Sequence, residues 1–281
     1  MKILVTGANG YLGQGIVKAI LDTGNEVAAV DFEVDHVDDR ATKIACNLFE
    51  AEDPYHCFGE PDVVLHLAWR DGFVHYSDAH IEDLPKHYEF LKKVADSDVK
   101  SIAVMGSMHE IGFFEGCIKE DTPCNPTTPY GISKNALREL TQILCKKNEK
   151  NFLWLRGYYI VGNSEYGSSI FSKIADAEKQ HKKEFPFTKG INQYDFIDYE
   201  EFCEQVAHAV LQDKVLGIIN ICSGHPEKLA ERVERFIKEN HYQIKLQYGA
   251  FPDRPYDSQA VWGDATKINA VIAQSKDGFN S

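Results

Sequence analysis

Short solid runs of apolar residues alternate with apolar positions at helical spacing along most of this chain. Ile3-Leu4-Val5 is a run of the kind that a strand covered on both faces requires, and Leu12, Ile16, Val17, Ile20 and Leu21 then recur with the period of a helix. Gly24 stands where a helix-ending glycine belongs, and Val27-Ala28-Ala29-Val30 forms a second run closed by Asp31. The first thirty residues therefore predict a β-α-β unit. Further strand-like runs lie at Lys43 to Cys46, Val63 to Leu67, Ile102 to Met105, Phe152 to Leu155 and Ile218 to Cys222, with helical stretches between most of them. Such alternation predicts an α/β fold with a doubly wound parallel sheet, helices on both faces, and ligands outside the carboxyl ends of the strands.

The pattern changes after Gly162. Residues 164–193 are polar and irregular apart from one helix about Ile170 to Lys179, and Asp195-Phe196-Ile197-Asp198-Tyr199 reads as a return to the sheet. Residues 223–281 carry one clear helix, marked by Leu229, Val233, Phe236 and Ile237, and a tail rich in Pro, Asp and Tyr. The expected organisation is a sheet domain of residues 1–163 and 194–222 with a small discontinuous lobe of residues 164–193 and 223–281.

Composition narrows the partners. A net charge of −13 over 281 residues repels phosphate backbones and anionic lipids, so neither nucleic acid nor a membrane surface is an expected partner. The seven cysteines are odd in number and form no C-x-x-C, which fits reduced thiols in a cytoplasm better than a disulfide framework or a zinc ribbon. Met1 leads straight into the first strand, and there is no apolar run long enough for a transmembrane helix. A cytoplasmic location is expected.

Chemistry enters at the first turn. Thr6-Gly7-Ala8-Asn9-Gly10-Tyr11-Leu12-Gly13 places three glycines between a strand and a helix. One allows a tight turn, one a close backbone approach to a pyrophosphate, and one close packing of helix on strand, while the helix start offers free N–H groups to phosphate. Asp31, ending the second strand, suits the hydroxyls of an adenosine ribose and repels a 2′-phosphate. Arg40 is the first arginine or lysine after it, so NAD is favoured over NADP. A Rossmann dinucleotide site is therefore expected here.

Tyr130 and Lys134 lie one helical turn apart, with Ile132, Ala136, Leu137, Leu140, Ile143 and Leu144 marking the helix. A neighbouring ammonium and an oxidised nicotinamide would lower the phenol's pKa and make Tyr130 a usable acid and base. Spacing alone selects nothing, because thirteen tyrosines give about one such pair by chance and Tyr88 with Lys92 is another. Ser107 makes the choice: it sits at the carboxyl end of the Ile102 to Met105 strand, where its hydroxyl can orient a substrate carbonyl.

These pieces resemble an extended short-chain dehydrogenase/reductase, the NAD-dependent epimerase/dehydratase group. The resemblance spans nearly the whole chain through Thr6 to Gly13, Asp31, Asn47-Leu48, His66-Leu67-Ala68, Ser107 with Gly112, Tyr130 with Lys134, Leu155-Arg156, Asp195 to Asp198 and Arg254-Pro255-Tyr256-Asp257. It implies that Ser107, Tyr130 and Lys134 carry hydride chemistry at a carbonyl and that Lys134 also holds the nicotinamide ribose. It implies cofactor contacts from Gly7, Asn9, Gly10, Tyr11, Leu12, Gly13, Asp31, Asn47, Leu48, Leu67 and Ala68. It further implies a nucleotide-sugar substrate and a homodimer formed through the helix that bears Tyr130 and Lys134. Two departures qualify the match. Met108-His109 follows Ser107 where the sugar 4,6-dehydratases carry an acid pair, so water elimination is not expected. Tyr159 stands where the family often has a sugar-contacting asparagine.

The resemblance also implies that Arg254 holds the diphosphate, although Tyr256 replaces the glycine of that motif, and His109 reads as a substrate-lining residue with a second acid/base role as the alternative. His75, Asp78 and His80 match no metal-ligand spacing and read as a solvated loop, so no metal is expected. The expected activity is that of an NAD-dependent reductase of a 4-keto-6-deoxyhexose nucleotide or a sugar epimerase. Reduction of a non-sugar carbonyl, or NAD(P) sensing without turnover, stand as alternatives.

Overall fold

The computed structural model describes residues 1–162, 169–252 and 258–278. Along the chain run β1 (Lys2–Thr6), α1 (Tyr11–Asp22), β2 (Glu26–Asp31), β3 (Thr42–Ala45), α2 (Pro54–Cys57), β4 (Val63–His66), α3 (Ala79–Ala95) and β5 (Ser101–Ser107). They are followed by β6 (Gly116–Ile118), α4 (Pro129–Lys147), β7 (Asn151–Gly157), β8 (Tyr159–Val161), α5 (Ile170–Lys179), β9 (Glu184–Pro186) and β10 (Gln193–Asp198). The last are α6 (Tyr199–Val210), β11 (Gly217–Ile221), β12 (Pro226–Lys228), α7 (Leu229–Glu239), β13 (Lys245–Gln247), β14 (Ala260–Gly263) and α8 (Thr266–Gly278).

Seven strands form a parallel sheet in the order β3-β2-β1-β4-β5-β7-β11. Alternate residues of β1 serve opposite layers: Ile3 and Val5 pack with α1, α6 and α8, whereas Leu4 packs with the side that carries α3 and α4. That double burial is why the strand is a solid apolar run. The chain winds outward from β1 to β3 and then crosses to β4, so the order reverses between β1 and β4. A doubly wound sheet opens its ligand crevice at such a switch point.

A second, smaller sheet runs β12-β10-β14-β6, with β8 paired to β10, and β9 pairs with β13. Two segments lie elsewhere than the hydrophobic pattern suggests. Gln193–Asp198 does not rejoin the large sheet; it is the centre of the small one. Asp195 explains this, for it is fully buried and its carboxylate accepts from Ser223 N (2.8 Å), Ser223 Oγ (2.6 Å), Gly224 N (3.0 Å) and Gly263 N (3.0 Å). A buried carboxylate needs that full set of donors, and meeting it pulls three chain crossings together. The polar tail likewise contains α8, whose Ile268 and Val271 are buried in the core of the large sheet rather than in the lobe. Only one stripe of that helix is apolar, which is too little to mark it within a polar segment.

Candidate active site

The turn after β1 is built on backbone clearance. Gly7 has φ +69°, and a Cβ there would lie 2.7 Å from the Ala68 Cα, so the turn backs directly onto the chain leaving β4. A Cβ on Gly13 would lie 2.2 Å from the Gly7 carbonyl oxygen, which lets α1 start against the turn itself. Gly10 provides no side-chain cap for α1. The helix start is thus left uncapped by any side chain, beside a turn that only glycine can make, and this cradle fits a dinucleotide pyrophosphate.

Around the cradle, the Asp31 carboxylate accepts from Asn9 N (3.0 Å) and Phe32 N (2.8 Å), while the Asn9 side-chain oxygen accepts from His36 N (2.9 Å). Arg40 is taken up by Asp38 (2.7 Å) and Asp22 (2.8 Å), which leaves its charge neutralised away from Asp31. Asn47 caps the short turn after β3 through Phe49 N (3.2 Å), Leu48 is buried, and Leu67 is half-buried just past β4. Leu12 packs against the core of the large sheet. Tyr11 donates its hydroxyl to the Gly162 carbonyl (3.0 Å) and packs on Tyr199, tying the turn to the far side of the crevice.

Ser107 ends β5, and its Oγ accepts from His109 N (3.3 Å). Thr128 caps α4 by accepting from Gly131 N (3.2 Å), with Pro129 at the first helical position. A Cβ on Gly131 would lie 2.4 Å from the His109 carbonyl oxygen, so glycine is what lets α4 close on the turn after β5. That contact sets the Tyr130 phenol beside Ser107. Burial pushes the phenol up to about 12, and the Ser107 hydrogen bond pulls the other way. One turn on, Lys134 is buried and donates to the Met105 carbonyl (2.9 Å). Burial brings its ammonium down to about 7, against the pull of the Glu110 carboxylate.

The loop between β4 and α3 is not simply solvated. His75 lies flat on the Tyr130 ring, with centroids 4.9 Å apart and planes 7° from parallel, and its carbonyl accepts from Tyr130 N (3.1 Å). His109 is 4.3 Å from His75 and 6.2 Å from Tyr130, and burial lowers it to about 4. His80, fully buried, accepts from Trp69 Nε1 (3.0 Å) on Nδ1, which leaves Nε2–H to donate to the Val74 carbonyl (2.9 Å). Asp78 is exposed. Tyr159 extends the wall toward the small sheet, 6.5 Å from His109 and 4.8 Å from Tyr194. His75 and His80, expected in a solvated loop, pack instead against Tyr130 and Trp69, and Trp69 went unnoticed, although an aromatic residue three positions past a strand that ends on the crevice was the available signal. Among the described residues no group of three or more His, Cys, Asp or Glu is arranged to hold a metal ion. Arg254 lies outside the described residues.

Comparison with known proteins adds an independent line. The sequence model of the NAD dependent epimerase/dehydratase family matches residues 3–222. The dTDP-6-deoxy-L-talose 4-dehydrogenase (NAD(+)) of Aggregatibacter actinomycetemcomitans is 41% identical over 271 residues, covering 94% of this chain and 99% of that protein. Among solved structures, the UDP-N-acetylglucosamine 4-epimerase of Methanobrevibacter ruminantium, in complex with UDP-N-acetylmuramic acid, has a TM-score of 0.83 at 19% identity, covering 96% and 91% of the two chains. The UDP-glucuronic acid 4-epimerase of Bacillus cereus, in complex with UDP-glucuronic acid and NAD, has a TM-score of 0.82 at 18% identity, covering 97% and 93%. These two share the fold.

Proposed function

The chain belongs to the NAD-dependent epimerase/dehydratase family, and on that premise we propose that it is an NAD-dependent dehydrogenase/reductase acting at a hydroxyl or carbonyl carbon of a nucleotide-linked 6-deoxyhexose. The observation that carries this reading is the meeting of Ser107, Tyr130 and Lys134 at the carboxyl edge of the sheet, beside the switch point that holds the glycine cradle. The 41% identical dehydrogenase supports C4 of a dTDP-linked sugar as the reacting position.

NAD, when bound, supplies the hydride acceptor or, reduced, its donor. The Asp31 carboxylate holds the adenosine ribose, Asn47 and Leu48 border the adenine, and Gly7 to Gly13 hold the pyrophosphate. Leu67 and Ala68 line the floor between the two strand ends. At the sugar, the Ser107 hydroxyl donates to the reacting oxygen and Tyr130 takes or returns its proton. A phenol near 12 is a poor base at neutral pH. Positive charge beside it corrects that, and Lys134 is the charge this chain provides. His109 and Tyr159 line the sugar pocket, and Arg254 meets the diphosphate, for which its donor fork is suited.

Ile132 and Ile143 are exposed on α4, three turns apart on one face, which favours a homodimer packed through that helix. No helix among the described residues is long and apolar enough to cross a membrane, and the seven free cysteines fit a reducing cytoplasm.

The test is a panel of TDP-, UDP-, GDP- and CDP-linked sugars offered with NAD, with NADH absorbance and the sugar product followed together. Stoichiometric NADH with a keto sugar is expected. Interconversion of C4 epimers without net NADH would make it an epimerase, and reduction of free aldehydes or ketones alone would end the nucleotide-sugar reading.

A further inference from the structure

Lys134 presents a physical problem of its own. A buried ammonium needs partners, and its hydrogen bond to Met105 in β5 meets only a neutral carbonyl. The acid that acts on it, Glu110 in the turn after β5, is itself engaged by Arg156 Nε (2.6 Å) and Trp154 Nε1 (2.8 Å). The other titratable groups around it are imidazoles and a phenol: His66 from β4, His80 and His87 from α3, His75 from the loop before α3, and Tyr130 from α4 itself. Protonating His66 or His87 would oppose the ammonium.

What meets the ammonium is an aromatic face. Lys134 Nζ lies 3.8 Å from the centroid of the Trp69 ring. That ring is fixed by its Nε1–H bond to His80, which in turn holds the Val74 carbonyl, and it stacks on His87 with centroids 4.6 Å apart and planes 13° from parallel. Cation–π attraction is strongest where water is excluded, and tryptophan offers the best face.

We propose that Trp69 is a positioning residue for the reaction: its ring keeps Lys134 cationic and aimed beside Tyr130, and through His80 and Val74 it ties that charge to the loop that lays His75 over Tyr130. This rests on the role given above to Lys134. With the ammonium already lowered to about 7, a modest loss of support decides its charge at neutral pH. Removing the face disfavours the charged form, so the pKa falls and the ammonium is lost at lower pH.

Two measurements test it. The first follows kcat against pH for keto-sugar reduction in wild type, Trp69→Leu and Trp69→Phe. Trp69→Leu should move the alkaline limb down by about one pH unit, roughly a tenfold loss on that limb with little change on its acid side, and Trp69→Phe should restore part of it. An equal loss at every pH would mean packing alone and overturns the proposal. The second needs no substrate. The Trp69 emission, taken as wild type minus Trp69→Phe to remove Trp154 and Trp262, should titrate with a midpoint near neutral pH, and that step should vanish in Lys134→Met. A step indifferent to Lys134→Met overturns the proposal. If wild type reduces no nucleotide sugar, the proposed function fails, and the emission titration still decides whether Trp69 and Lys134 are coupled.

Discussion

At the scale of single residues, the proposed chemistry rests on groups whose type and order are visible along the chain, while their tuning depends on neighbours from other segments. Ser107, Tyr130, Lys134 and Asp31 could each be picked out because they follow strands or start a helix. That Tyr130 lies under His75 and Lys134 over Trp69 could not, since those contacts join a loop to a helix 55 and 65 residues away, and no local periodicity reports them. Tyr130→Phe should leave NAD affinity near wild type and cut turnover by roughly 10²–10⁴, the range for a lost proton-transfer group. Tyr88→Phe, on α3, is the control, and a larger loss from it would displace Tyr130 from the reaction. At the cofactor, Asp31→Ala should narrow the preference for NAD over NADP in Kd measured by titration. Arg40 will not compensate in the wild type, because Asp38 and Asp22 already hold it. Tighter binding of NADP by the unaltered protein would contradict the role given to Asp31.

At the scale of elements, strands buried on both faces and helices with a wide apolar stripe were legible, and elements defined by polar hubs were not. β1, β4, β5 and β7 contain solid apolar runs, β11 is apolar apart from Asn220, and α5 and α7 carry clear periodic stripes. β10 resembles another core strand in pattern, yet its place is set by what Asp195 accepts from Ser223, Gly224 and Gly263, residues remote in sequence. The approach of α4 to the turn after β5 is a comparable case, because it depends on the missing side chain of Gly131. Gly131→Ala puts a methyl 2.4 Å from the His109 carbonyl oxygen, a backbone atom that cannot swing aside. The helix must shift, moving Tyr130 from Ser107. Overpacking of this kind costs about 1–3 kcal/mol of stability, and misplacement of about an ångström costs turnover about 10²-fold. Cofactor affinity, carried mainly by the glycine turn and Asp31 with Lys134 as one contact among several, should change less. Equal losses in NAD binding and turnover would show that Gly131 supports the fold generally rather than this contact.

At the scale of the whole molecule, the crevice is lined by histidines kept neutral by burial, and this links the site to the acid stability of the fold. The Thr6 hydroxyl, His66 and His87 form a chain across the crevice floor, with contacts of 2.8 and 2.9 Å. Burial lowers His66 well below its ordinary value, His87 to about 3 and His109 to about 4. Each folded pKa lies below the unfolded one near 6.5, so between them the unfolded chain binds more protons. The stability these groups support is therefore complete above about pH 6.5 and is lost as pH falls toward 4 and 3. Depressed carboxylates such as Asp38 act in the same direction, so the slope of the wild type alone does not identify the imidazoles. His87→Asn separates them: an amide oxygen can still accept from His66 Nε2–H but does not titrate. Its unfolding free energy, from urea melts at several pH values, should be lower than wild type by a fixed amount at neutral pH. Below about pH 6.5 the gap should close by up to about 1.4 kcal/mol per pH unit, the linkage of a single proton. A gap that stays constant from neutral pH down to about 4 would mean that His87 takes up its proton as readily in the folded protein as in the unfolded chain, and that the crevice floor is not the dry, neutral surface on which a buried Lys134 depends.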